Sequence, residues 1–170
     1  SGKLSMQVED ATYIFSAGDC CLCNQSIRHA EHCDTDCEFL LIMLQDYFYQ
    51  DLVEHDFLGV TTFGQTIKHP IISLIINATM NSKRNTKYYK EFITFYQKSD
   101  RAYLYNSNLE LINNMLDELT SHRPGGSFMC RGYLCRLLSQ FDSEDNYITK
   151  SHQVETPMLE DLFIRISFTL

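Results

Sequence analysis

The chain has 170 residues, of which 44% are hydrophobic and 21% charged, with only 7 Gly and 3 Pro. That composition excludes disordered, collagen-like and linker sequences and suits one compact domain spanning 1–170. A formal charge of −8 argues against a protein that grips nucleic acid through phosphates over a broad basic surface. The greasiest stretch, Phe39 to Leu44, is ended by Gln45 and Asp46. It falls far short of the roughly 18 apolar residues a membrane-spanning helix needs.

In chain order, residues 8–15 favour a pleated backbone through Thr12, Tyr13, Ile14 and Phe15, so they predict a short strand or an extended entry. Ser16-Ala17-Gly18-Asp19 turns the chain into a segment crowded with cysteine. Thr35 and Glu38 have capping-box spacing, in which each side chain satisfies a backbone N–H of the other, and a helix is expected over residues 36–58 with Gly59 as its stop. Pro70 opens an apolar run, residues 71–80, whose periodicity alone fits buried helix or strand; the opening proline and the extension through Ala78 and Met80 favour a second helix. Between 86 and 98, Tyr88, Tyr89, Phe92, Ile93 and Tyr96 fall on one face of a 3.6-residue period, which predicts a third.

Ser107 with Glu110 repeats the capping spacing before Leu109, Ile112, Leu116 and Leu119, the apolar face of a fourth helix. Pro124-Gly125-Gly126 breaks the chain, and Ser127 is placed to cap a fifth, with Phe128, Met129, Tyr133, Leu134, Leu137, Leu138 and Phe141 apolar. Gly132 within it suggests a close-packed neighbouring backbone. Residues 142–153 are polar and read as a loop. Thr156-Pro157 then opens a last helix, after which Ile164, Ile166, Phe168 and Leu170 alternate as a strand would. The fold class that results is mainly α: a compact bundle of five or six helices with an N-terminal Cys/His-rich zinc-binding segment and little strand. Residues 16–37 carry the cluster and 36–170 the helical body.

Five of the seven cysteines, Cys20, Cys21, Cys23, Cys33 and Cys37, share 18 residues with His29 and His32. Zinc takes four ligands in a tetrahedron, and a two-residue gap lets a first pair of thiolates turn toward one ion. Cys20 and Cys23 meet that spacing. The second pair is His29 with Cys33, Cys33 with Cys37, or His32 with Cys37, and the preferred set is Cys20, Cys23, His29 and Cys33, closed around a structural zinc. The odd cysteine count and the clustering favour a reducing, intracellular compartment over a disulfide scaffold.

Enzymatic signals are thin. The His29-x-Glu31 pair lacks the distant Pro-Cys-x-x-Cys segment that zinc deaminase chemistry needs. Cys130, early in a helix and near His122 in sequence, is a possible nucleophile, yet its apolar neighbours Phe128, Met129 and Tyr133 read more simply as packing.

Charge is uneven. No Lys or Arg lies between Arg28 and Lys68 against eight acidic residues, whereas residues 83–101 hold six basic residues against two acidic. The expected function is therefore a non-enzymatic, zinc-stabilised protein–protein interaction or adaptor domain that holds a partner peptide or helix in a hydrophobic groove. Two alternatives are a zinc- or cysteine-dependent enzyme and a single-stranded nucleic-acid binder using the basic aromatic segment 83–105.

Overall fold

The computed structural model describes residues 2–24, 27–33, 36–44, 89–155 and 164–169. Among them are eight strands: β1 (Leu4–Val8), β2 (Ala11–Phe15), β3 (Cys20–Asn24), β4 (His29–Cys33), β5 (Phe39–Leu44), β6 (Tyr89–Gln97), β7 (Tyr147–Glu155) and β8 (Ile164–Thr169). Two helices, α1 (Tyr103–Ser121) and α2 (Gly126–Phe141), and a 3-10 turn at Ser99–Arg101 complete the described elements. The bundle of five or six helices is thereby overturned: the fold is mixed α/β, with two small antiparallel sheets. No described helix is long and apolar enough to cross a membrane.

The first sheet has the order β2-β1-β4. β1 alternates Leu4, Met6 and Val8 inward with Ser5 and Gln7 on the other side, the period-two pattern of a strand with one buried face. Val8 pairs with Ala11, so Glu9 and Asp10 alone make the reversal, and Glu9 takes the left-handed φ of 50° that tight two-residue hairpins demand.

The second sheet has the order β5-β8-β3-β6-β7, antiparallel throughout. Of its three inner strands, β3 and β6 are covered on both faces. On one side Cys20, Leu22, Ile93 and Phe95 pack beneath Leu104, Leu111, Ile112 and Met115 of α1, Leu134, Leu137, Leu138 and Phe141 of α2, and Tyr147. On the other, Cys21, Cys23 and Phe92 meet Leu4, Met6, Val8 and Phe15 of the first sheet, with Ile27. The helical hairpin, the five-stranded sheet and the three-stranded sheet thus share two cores divided by one sheet. Cross-strand register supports the division, because Cys20 opposes Phe95 and Leu22 opposes Ile93 on the helix side, while Cys21 opposes Thr94 and Cys23 opposes Phe92 on the other.

Two stretches expected as helices are strands. An unbroken apolar run, or apolar residues that happen to share one face of a 3.6-residue period, carries no alternation to mark a strand in sequence. Phe39 to Leu44, expected to begin the helix over 36–58, is β5 and pairs with β8 residue for residue. Residues 89–97 within the expected helix over 86–98 are β6, where Phe92, Ile93, Thr94 and Phe95 are all buried. The rest of the 36–58 helix, the 71–80 helix and the helix opened by Pro157 lie outside the described residues. The polar stretch expected as a loop over 142–153 contains the start of β7, an edge strand whose Ile148, Thr149, Lys150 and Ser151 are exposed while Tyr147 is buried.

Both helices of the hairpin were legible, with shifted starts. α1 begins at Tyr103, four residues before the expected cap Ser107, whose hydroxyl instead accepts a hydrogen bond from Gln140 Nε2 at 3.2 Å. α2 begins at Gly126 behind Gly125, which holds a φ of 83°. The close approach expected at Gly132 occurs at Gly126, where a Cβ would lie 3.2 Å from the Glu118 carbonyl oxygen; Gly132 faces open space.

Polar bonds tie the turn before β3 to both sheet and hairpin. Buried Asp19 accepts the Ser16 and Gln97 backbone N–H groups, each at 2.8 Å. Burial nevertheless raises its carboxyl above the usual range, and the two N–H groups offset this only in part. Asn108, fully buried in α1, donates from Nδ2 to the Tyr147 hydroxyl at 2.7 Å, which donates to the Gly18 carbonyl at 3.4 Å. Asp19→Asn replaces one accepting oxygen with an NH2 group that faces a backbone donor. We expect a loss of about 1–3 kcal/mol in urea unfolding, where an unchanged midpoint would show that the two N–H groups do not depend on the carboxylate.

Candidate functional site

The cysteine and histidine residues singled out in the sequence do not converge. Because β3 is extended, residues three apart point to opposite faces, so Cys20 enters the helix-side core and Cys23 the core between the sheets. Cys23 and Cys33 contribute to that second core, but Cys33 is joined to Cys37 in a disulfide with a Cα separation of 6.2 Å. His29 turns to its own strand: Nδ1 is 2.9 Å from the Ile27 carbonyl oxygen and Nε2 is 3.5 Å from Glu31. His32 sits on the exposed face of β4. Among the described residues no group of three or more His, Cys, Asp or Glu is arranged to hold a metal ion, which overturns the metal-binding assignment. The two-residue gap between Cys20 and Cys23 serves zinc in a turn, where both thiolates swing to one side, and fails in a strand.

The cysteine-nucleophile alternative meets a similar obstacle. The Cys130 thiol donates to the Met115 carbonyl at 3.5 Å, and burial, followed by the negative charge of Glu118, pushes its pKa up. A reactive thiol needs the opposite environment. His122 ends α1 in a left-handed conformation, with φ 50°.

Of the described aromatic residues of segment 83–105, Tyr103 is 59% exposed and others are packed inward. Phe92 and Phe95 are core residues, and Tyr96 is half-buried, stacked on Phe15 at 5.8 Å between ring centres. Lys83, Arg84, Lys87 and Tyr88 lie outside the described residues.

A histidine without a sequence signal emerges at the rim between the sheets. His152 on β7 stands opposite Phe92, with its ring centre 4.8 Å from Tyr13 and 5.7 Å from Phe92, and its Nε2 is 3.3 Å from Thr94 Oγ1. Burial, and then the Lys150 charge, hold its pKa below the usual histidine value.

Four exposed large hydrophobic residues lie near the turn end of the helical hairpin. Leu116 and Leu119 near the end of α1 are 44% and 60% exposed, and Phe128 and Met129 at the start of α2 are 72% and 47% exposed. α1 turns Leu104, Asn108, Leu111, Ile112 and Met115 to the sheet, which leaves Leu116 at the edge of the packed face. In α2, Phe128 shares its spoke of the helix with exposed Gly132 and Arg136, away from buried Leu134, Leu137, Leu138 and Phe141. That offset is available in the sequence, where Phe128 is grouped with the other apolar residues of its helix. The turn is held by Arg123 bonding Asp117, by the left-handed Gly125 and by Gly126 N–H donating to the Arg123 carbonyl at 3.0 Å.

Comparison with protein-family models, with curated proteins and with solved structures finds no match to this chain. Function must be argued from its own residues.

His152 gives a pH test. A folded imidazole with a lowered pKa binds its proton less tightly than the unfolded one, so its contribution to stability is present above the unfolded value near 6.5 and is lost as pH falls through the folded value. Melting temperature should drop between pH 7 and pH 5, and His152→Gln should flatten part of that drop. The same slope in wild type and variant would remove His152 from the account.

Proposed function

We propose that this chain is a non-enzymatic protein–protein interaction module, and that it receives an apolar helix or peptide of a partner protein at the turn end of its helical hairpin. One observation carries this reading: Leu116, Leu119, Phe128 and Met129 stand exposed at one end of a hairpin whose opposite face is fully used against the sheet. Single exposed hydrophobic residues are ordinary, but four large ones gathered at a turn mark a contact surface. Aliphatic and aromatic side chains on a rigid helical support suit the i, i+3, i+4 spacing of a partner helix. The wanting of an activated nucleophile at Cys130 speaks against the enzyme alternative, and the burial of Phe92 and Phe95 against base stacking.

In this reading the module works inside the cell. Cys20, Cys21 and Cys23 are fully buried thiols, and Cys130 and Cys135 also stand outside any disulfide, a thiol-rich state that a reducing compartment maintains.

The test places a photo-activatable phenylalanine at position 128 and, as a control, at exposed Asn113 on the middle of α1. A protein crosslinked from 128 and not from 113 is identified, purified and titrated against the intact chain. Phe128→Asp should weaken its affinity roughly 10- to 100-fold, as loss of a central apolar anchor does, while leaving the melting temperature within a degree or two. Crosslinks to a second copy of this chain alone, or equal affinity for Phe128→Asp, would overturn the reading.

A further inference from the structure

We infer that the Cys33–Cys37 disulfide is a reversible thiol–disulfide exchange site, acted on by a dithiol reductant, and that reducing it unties the edges of the two sheets. Cys33 is the last residue of β4, an edge of the three-stranded sheet, and Cys37 stands two residues before β5, an edge of the five-stranded sheet. The bond therefore joins the two layers at strands that each have a described neighbour on one side only, β1 beside β4 and β8 beside β5.

Three observations separate this bond from a structural staple. First, it spans only four residues of chain, so it removes little freedom from the unfolded chain, and the fold does not rest on it as it would on a bond between distant segments. Second, both of its cysteines are half-buried among exposed His32, Asp36 and Glu38, which leaves an approach for an attacking thiolate. Cys20, Cys21 and Cys23 are sealed in the cores, and burial raises the pKa of Cys130 and of Cys135, so the remaining thiols are poor exchange partners. Third, Glu31, Asp34, Asp36 and Glu38 flank the bond in sequence, together with His29 and His32 and with no Lys or Arg between Arg28 and Lys68. An acidic surround repels an anionic thiol such as glutathione and favours a neutral dithiol, or a thioredoxin-like protein with a basic rim.

Chemically the step is balanced. One thiolate of the reductant attacks a sulfur of the pair and expels the other as a thiolate, forming a mixed disulfide. The reductant's second thiol then closes its own disulfide and releases the bound cysteine. Two electrons and two protons pass to Cys33 and Cys37, and the reductant leaves oxidised. In the reducing compartment of the proposed function, on which this point rests, a disulfide is typically transient, catalytic or redox-sensing.

The experiment uses the whole chain, equilibrated with excess oxidised dithiothreitol and then with reduced dithiothreitol. Thiols are counted after denaturation. Five are expected in the oxidised sample and seven in the reduced one, from seven cysteines and one disulfide. Reduction should proceed in the native state, faster with dithiothreitol than with glutathione at equal thiolate concentration, and added salt should narrow that gap. Amide chemical shifts should move within residues 29–33 and 36–44 and stay fixed in α1 and α2. Cys37→Ser should show six thiols under both conditions, and if that variant does not fold, the wild-type counts still decide. Seven thiols after oxidation, a bond that yields only on denaturation, or reduction without any shift in residues 29–44 would each overturn the inference.

Discussion

The burial of β3 and β6 on both faces is the constraint on which the rest of the structure depends. Cys20 to Cys23 are each no more than 3% exposed, and Phe92 to Phe95 no more than 4%. Successive residues of an extended chain point to opposite sides, so these two strands must supply apolar groups at every position, half to the helical hairpin and half to the three-stranded sheet. The only polar side chain among the eight, Thr94, has its hydroxyl 3.3 Å from His152 Nε2, the partner that a buried polar group requires. Two cores that would each be small are thereby built on one shared wall.

This division also governs the chemistry of the cysteines. A CxxC pair in a turn offers two thiolates to one ion. The same spacing in β3 sends one sulfur under α1 and α2 and the other toward β1. Small, soft and weakly polar, cysteine packs there as a hydrophobic residue, and the Cys21 thiol lies 3.8 Å from the Met6 sulfur. The disulfide falls where the two sheets end, outside the shared wall, so its state can change while β3 and β6 stay covered.

How much was legible in the sequence follows the same physics. The hairpin α1–α2 was visible because each helix has one packed face and one solvated face, so the 3.6-residue period survives, and Pro124-Gly125-Gly126 marks the turn. Leu4-Ser5-Met6-Gln7-Val8 shows clean alternation, yet the strand signal was placed at residues 8–15, where two strands and their two-residue turn run together. β5 reads as a helix because an unbroken apolar run fits either period, and β6 because Tyr89, Phe92, Ile93 and Tyr96 also fall on one face of a 3.6-residue period. Residues 142–153 were misread as loop since an edge strand with an exposed face needs few apolar groups. The residues of the candidate contact surface are named in the sequence only as apolar positions of their helices. Only the position of the sheet against α1 and α2 shows that Leu119 and Phe128 lie beyond it.

The central claim, that β3 and β6 are sealed between two layers, is tested most directly by native-state hydrogen exchange. Amides of Cys20 to Cys23 and Phe92 to Phe95 should exchange among the slowest in the chain and only through global unfolding, with a free energy matching that from denaturant, while those at the free edge of β7 and at the turn end of the hairpin open far more readily. Exchange of the β3 and β6 amides as fast as that of β7's exposed edge would contradict the account, since no strand covered on both faces can open without taking its two cores apart.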